Sequence, residues 1–236
     1  MVDNLQVEIF SDGADLSTML EMANKPEIKG LTTNPTLMKK AGIKDYRVFA
    51  AEVLSKITTK PISFEVFSDE LLEMNLQALE IASWGKNVNV KIPVTNSEGK
   101  STTSLISQLS KQDVTLNVTA VMTVEQVAEI TKAFADNSHG YISVFAGRIA
   151  DTGIDPIPIM RQALEIMKKK PQLKLIWASP RELLNVVQAD QIGCHIITAT
   201  SEILAKLGLL GKDLNQYSLE TVRMFRNDAL SSGFSI

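Results

Sequence analysis

The chain has 236 residues, a formal net charge of −3 and one cysteine, Cys194. That charge excludes a general attraction to nucleic-acid backbones, and one cysteine excludes an intrachain disulfide or a multi-cysteine metal site. At 44% hydrophobic and 22% charged residues the composition is that of a folded globular chain, long enough to bury about 70% of its unfolded surface without cross-links.

Short β-branched runs alternate with longer amphipathic stretches along the whole chain. The first unit pairs a strand over 6–11 with a helix over 16–23. A second strand over 28–33 leads through Asn34-Pro35 to a helix over 44–57. The third unit runs from 61–67 to a long helix over 69–84, whose apolar positions include Leu71, Leu72, Met74, Leu76, Leu79 and Ile81. Strand and helix follow over 87–92 and 102–109, then over 114–121 and 124–135. The sixth strand, 141–146, is joined by a loop over 147–156 to a helix over 157–169. The last two units span 173–178 with 181–188, and 194–198 with 201–207.

Strands alternating with helices favour parallel pairing through right-handed crossovers, and this many units without a linker favour closure. The expected fold is therefore α/β, a single (β/α)8 TIM barrel forming one domain over residues 1–236, with an additional C-terminal helix. That helix falls within 213–236, where Leu219, Val222, Phe225 and Leu230 are its apolar set; it covers a barrel end or packs on a neighbouring subunit. Met1-Val2-Asp3-Asn4-Leu5 lacks the basic-then-apolar order of a secretory signal, and no apolar run reaches membrane-spanning length. A cytoplasmic setting, with no membrane or nucleic-acid partner, is expected.

In such barrels, polar residues at the C-terminal ends of strands face the active-site mouth. Lys91 stands out, in Val88-Asn89-Val90-Lys91-Ile92-Pro93-Val94, a strand expected to be buried on both faces. Withdrawal from water disfavours an ammonium, and a neutral amine can attack a ketone to form an iminium, an electron sink for C–C cleavage. A lysine at a strand tip can equally extend its head to solvent. Glu65, at about the same level in the preceding strand, pairs with a lysine, relays protons or is simply solvated. Asn34 before Pro35 suits a helix N-cap. Asn117 and Thr119 share one face of their strand, as do Ser143 and Phe145 of theirs.

Arg148 follows Gly147, and Ser179 and Arg181 stand at a strand-to-helix junction. A hydroxyl, the amides of a helix start and a guanidinium would make a phosphate site there, although surface arginines are common. His195 reads as a hydrogen-bonded core histidine and His139 as a loop residue. With two histidines and no acidic cluster at ligand spacing, no metal is expected.

The segments Gly30-Leu31-Thr32-Thr33-Asn34-Pro35, Val90-Lys91-Ile92-Pro93-Val94-Thr95, Asn117-Val118-Thr119, Ser143-Val144-Phe145-Ala146-Gly147-Arg148 and Ala178-Ser179-Pro180-Arg181 resemble the transaldolase family in order and spacing. The chain looks like the shorter members, which have fructose-6-phosphate aldolases as relatives. The resemblance implies a transferase that moves a dihydroxyacetone unit from fructose 6-phosphate to erythrose 4-phosphate through a lysine Schiff base. It further implies a place in the non-oxidative pentose phosphate pathway, no cofactor, and a homo-oligomer.

By the same resemblance Lys91 is the Schiff-base lysine and Asp12 the strand-one acid/base, with Asp15 close enough to compete for that role. Glu65 and Thr119 match the pair that holds a catalytic water. Thr32, Asn34 and Asn117 match groups that bind the dihydroxyacetone portion, with Ser143 and Phe145 beside it, and Arg148, Ser179 and Arg181 match the phosphate-binding groups. Glu65 and Phe145 stand where the aldolases carry glutamine and tyrosine, which favours transfer over simple cleavage. Gly13 and Pro180 depart from the pattern, standing where relatives carry threonine and an aromatic. The alternatives are a fructose-6-phosphate aldolase and a non-catalytic sugar-phosphate-binding barrel.

Overall fold

Side chains alternate between the two faces of a strand, and that alternation sorts this chain into an inner and an outer set. The computed structural model describes residues 4–234. Among them the strands are β1 (Glu8–Asp12), β2 (Ile28–Thr32), β3 (Ile62–Glu65), β4 (Val88–Pro93), β5 (Leu116–Val121), β6 (Gly140–Val144), β7 (Leu173–Trp177) and β8 (Ile196–Thr200). All neighbouring pairs are parallel and follow sequence order, and β8 pairs back onto β1 to close a (β/α)8 barrel. Along β4, Val88, Val90 and Ile92 belong to the apolar layer between strands and helices, whereas the alternate residues Asn89 and Lys91 are polar and equally buried. Fully buried members of that layer, such as Val90, Ile92, Leu116 and Val118, contribute on the order of 1.5–3 kcal/mol each.

Inside the barrel a small cluster of Phe10, Ile176, Ala178 and Ile196 fills the floor beneath the mouth, with Tyr141 and Phe145 packed against it. Gly30 makes room for Phe10, since a Cβ at that position would stand 2.6 Å from its ring.

The helices are α1 (Leu16–Asn24), α2 (Pro35–Lys40), α3 (Tyr46–Lys56), α4 (Leu71–Ser83), α5 (Thr103–Ser110), α6 (Val124–Ala133), α7 (Ala146–Asp151), α8 (Pro156–Met167), α9 (Leu184–Gln191), α10 (Ser201–Leu204) and α11 (Leu214–Ser231). Four departures from the sequence reading matter. Two short helices, α2 and α7, add to the expected elements; α2 starts at Pro35 behind the Asn34 cap, as those two residues suggest, but each has six residues, too few to show a helical period. The helix expected from 181 starts at Leu184, because Asn185 Oδ1 takes the amides of Arg181 (2.7 Å) and Glu182 (3.2 Å) in a turn before it. On α4, Met74, Ala78 and Ile81 are buried, while Leu72, Leu76 and Leu79 face outward. The C-terminal helix α11 has no buried residue and does not cover a barrel end. No helix of the described residues is long and apolar enough to cross a membrane.

Candidate active site

Each strand ends where its inward face leaves the apolar floor, so its last inward residues are free to be polar. Asp12, Thr32, Asn34, Glu65, Lys91, Asn117, Thr119, Ser143, Phe145, Arg148, Ser179 and Arg181 all line one cavity of about 450 Å³ at that rim. A larger groove of about 550 Å³ lies elsewhere, between α8 and the segment before β8. Its polar lining is largely long solvated side chains such as Arg161, Glu165 and Lys168, without convergence on a point.

Lys91 is the deepest charge of the rim. It pairs in register with Glu65 of β3 and is only 6% exposed. Its Nζ lies 3.0 Å from Glu65 Oε2 and donates to the Thr33 carbonyl at 2.8 Å. The side chain therefore does not extend to bulk water, and its proton has an acceptor one hydrogen bond away.

Asp12 sits across the cavity at the end of β1, open to the cavity rather than to bulk solvent. Its Oδ1 accepts from Thr32 Oγ1 at 2.8 Å and its Oδ2 from Asn34 Nδ2 at 3.2 Å. Burial raises its pKa above the usual aspartate range, against the opposing pull of Lys91 and the bond from Thr32. Thr32 Oγ1 also meets Thr198 Oγ1 at 2.6 Å. Because the Thr32 proton is committed to Asp12, Thr198 is the donor in that contact. Asp15, the rival on sequence grounds, is instead the N-cap of α1, accepting from Thr18 N at 2.8 Å. Asn34 does two jobs with one amide: its Oδ1 caps α2 through Leu37 N (2.9 Å) while its Nδ2 faces Asp12.

A second polar line crosses the cavity wall. Ser143 Oγ donates to Asn117 Oδ1 at 2.7 Å, and Asn117 Nδ2 donates to Ser63 Oγ at 3.1 Å. Next to it, Thr119 Oγ1 is buried without a hydrogen-bond partner among the described residues. The following residue, Ala120, has φ +61°, and the β5–β6 register shifts here before pairing resumes at Val121 and Val144, so a bulge interrupts the ladder beside the hydroxyl.

The anion-facing side is built from α7 and the turn after β7, in tight contact. Gly147 N reaches the Ala178 carbonyl at 3.4 Å, and Ser179 takes the left-handed φ of +59°. Arg148 is exposed, with its guanidinium 5.8 Å from the centre of the Phe145 ring. Arg181 makes a two-point pair with Asp151, Nε to Oδ1 at 2.9 Å, which holds that carboxyl below the usual aspartate range. The amides expected at a helix start here are spent on Asn185, so the two arginines and Ser179 are what this side offers an anion.

His195 is hydrogen-bonded, accepting from Leu175 N at 3.0 Å, but it is exposed rather than in the core, because it precedes β8 at the far end of the barrel. Burial pushes the Cys194 thiol up to about 12, so it is inert at neutral pH. Among the described residues no group of three His, Cys, Asp or Glu side chains is placed to hold a metal. Sequence reasoning overlooked Thr198, Ser63 and Asp151. Thr198 was reachable, since it is a polar strand-end residue like the rest; the other two are defined only by contacts across the fold.

A (β/α)8 barrel with its ionisable groups gathered at the C-terminal strand ends has the layout of a barrel enzyme. The family described as transaldolase/fructose-6-phosphate aldolase matches residues 9–236. A "probable transaldolase" of Dehalococcoides mccartyi is 34% identical over 202 residues, covering 85% of this chain and 90% of the relative. One of Streptococcus agalactiae is 36% identical over 85% of this chain and 89% of the relative, and one of Caldicellulosiruptor saccharolyticus is 32% identical over the same shares. The chain belongs to the transaldolase/fructose-6-phosphate aldolase family and is an enzyme, a transferase.

Proposed function

We propose that this enzyme is a transaldolase that carries a dihydroxyacetone unit from a ketose phosphate to an aldose phosphate as an enamine on Lys91. Fructose 6-phosphate is the donor and erythrose 4-phosphate the acceptor in this reading, within the non-oxidative pentose phosphate pathway. The observation that carries it is the buried Lys91 amine with Glu65 at 3.0 Å and Asp12 on the same cavity.

Glu65 takes the ammonium proton, and the freed amine adds to the C2 carbonyl to give a carbinolamine. Glu65 and Thr119 hold the water through which that proton reaches the departing hydroxyl, leaving an iminium. The partnerless Thr119 hydroxyl supports this role. Asp12 then takes the C4 hydroxyl proton, the C3–C4 bond breaks, and its electron pair moves onto the iminium to give an enamine and an aldehyde. An acceptor aldehyde re-forms the bond by the reverse steps, and hydrolysis frees Lys91. Thr32, Asn34, Asn117 and Ser143 hold the three-carbon fragment, with Phe145 as an apolar wall. Arg148, Ser179 and Arg181 take the phosphate.

In this reading the enzyme works in the cytoplasm as a homo-oligomer. Support for assembly comes from α11, which leaves Leu214, Val222, Phe225 and Leu230 at least 60% exposed.

The test is borohydride reduction in the presence of fructose 6-phosphate, followed by peptide mapping, with and without acceptor. A three-carbon adduct on Lys91 that disappears when erythrose 4-phosphate is supplied is the expected result. Absence of the adduct overturns the Schiff-base reading. Equal release of glyceraldehyde 3-phosphate with and without acceptor identifies an aldolase instead.

The role of Asp12 has its own pH signature. The raised pKa places the acid limb of kcat/KM above the ordinary aspartate range, since the group must be ionised to act. T32V removes a bond that favours the carboxylate, so that limb moves to higher pH; a limb that stays put would count against Asp12 as the base.

A further inference from the structure

We propose that Tyr46, the first residue of α3, is a positioning residue for the Lys91–Glu65 pair. The assignment rests on the Schiff-base reading of Lys91 and concerns how that amine and its partner are held.

The hydrogen bonds between β2 and β3 carry the inference. Leu31 N donates to the Pro61 carbonyl at 2.8 Å, and Thr33 N to the Ser63 carbonyl at 3.1 Å. In a parallel ladder the next bond runs from Glu65 N to the Thr33 carbonyl. It is missing. Glu65 N donates instead to Tyr46 Oη at 2.8 Å, and Tyr46 Oη donates to the Glu65 carbonyl at 3.2 Å. The Thr33 carbonyl, released from the ladder, accepts from Lys91 Nζ at 2.8 Å. One phenol thus satisfies a backbone donor that would otherwise claim the oxygen holding the amine.

The phenol is fixed from behind. Its ring meets Phe67 at 4.5 Å, Trp84 at 5.3 Å and Phe64 at 6.0 Å between centroids. Phe64 immediately precedes Glu65, so the aromatic cluster grips β3 on both sides of the carboxylate's backbone. Tyr46 does not line the cavity, and it acts only through Glu65 and Thr33.

Y46F keeps the ring and removes the hydroxyl. Glu65 N then recaptures the Thr33 carbonyl, the strand end closes on β2, and both Glu65 Oε2 and Lys91 Nζ lose their setting. Misplacement of reacting groups by about 1 Å is worth roughly a hundredfold, so kcat is expected to fall about ten- to a hundredfold with KM within about threefold. The double variant Y46F/E65Q should lose less than the product of the two single losses, because the two changes share the carboxylate while only Y46F also disturbs the Thr33 carbonyl that holds Lys91. W84F, which trims the same cluster without touching Glu65, should lower the melting temperature as Y46F does and keep kcat within about twofold.

These outcomes separate the claims. Wild-type enzyme that yields no Lys91 adduct overturns the Schiff-base reading and with it this assignment. Wild-type enzyme that yields the adduct, beside Y46F with kcat within about twofold of it, overturns the assignment alone. So do multiplicative losses in Y46F/E65Q, or an equal loss of kcat in W84F, either of which marks a merely structural role.

Discussion

K91M is expected to give no borohydride-trapped sugar adduct and to lower kcat by about 10⁴-fold or more, the scale on which loss of a covalent nucleophile is felt. Methionine keeps most of the lysine stem, so the packing of β4 survives. The change leaves Glu65 without its cation, and breaking a fully buried pair costs about 3–5 kcal/mol. Glu65 keeps 16% of its side chain exposed toward the cavity, where water can solvate it, so the actual cost falls below that range. A folded K91M protein with unchanged far-ultraviolet circular dichroism and no turnover is the predicted combination. Turnover above about one hundredth of wild type in that variant would remove Lys91 from the chemistry.

The second large effect lies at Gly147. A Cβ there would sit 1.6 Å from the Ser179 carbonyl oxygen and 2.7 Å from its carbon, both backbone atoms with nowhere to rotate. The requirement is close approach of two chains, as φ at this position is not left-handed. G147A must push α7, which carries Arg148, away from the turn after β7, which carries Ser179 and Arg181. Overpacking of this kind costs about 1–3 kcal/mol. The functional effect is larger, since Ser179 already holds a sparsely populated backbone conformation that only its surroundings maintain. We expect kcat/KM for fructose 6-phosphate to fall about a hundredfold or more. Trapping of unphosphorylated dihydroxyacetone on Lys91, which needs no phosphate contact, should persist. Isothermal titration with inorganic phosphate gives an independent reading, and unchanged affinity in G147A would defeat the assignment of these two segments to phosphate.

Much of this architecture could be read before any coordinates. Strand periodicity placed Lys91 and Glu65 at equal depth on neighbouring strands, and the register confirms that pairing. The rule that strand ends face the mouth brought Asn117, Ser143 and Arg181 to one cavity, and Asp12, supplied by the family resemblance alone, lines it too. Misjudged features share a different physics. The short helices α2 and α7 arise from capping and strand exit geometry rather than from an amphipathic repeat. His195 looked like a core residue beside the apolar Cys194 and Ile196, yet it precedes β8 at the far end of the barrel and is exposed there. Tyr46, Ser63 and Asp151 owe their meaning to partners distant in sequence, as in the bond from Asn117 to Ser63. No local pattern encodes such a contact.

The Arg181–Asp151 pair has a kinetic corollary for the proposed transfer cycle. In that cycle an incoming phosphate would meet a guanidinium already paired through Nε and Nη2, and would take the remaining N–H groups or displace a tethered carboxylate instead of filling an idle cradle. The net gain per encounter is smaller than for an uncommitted arginine, and dwell times shorten accordingly. For a catalyst that discharges one phosphorylated aldehyde and admits another while a reactive fragment waits, a grip that lets go readily is an advantage.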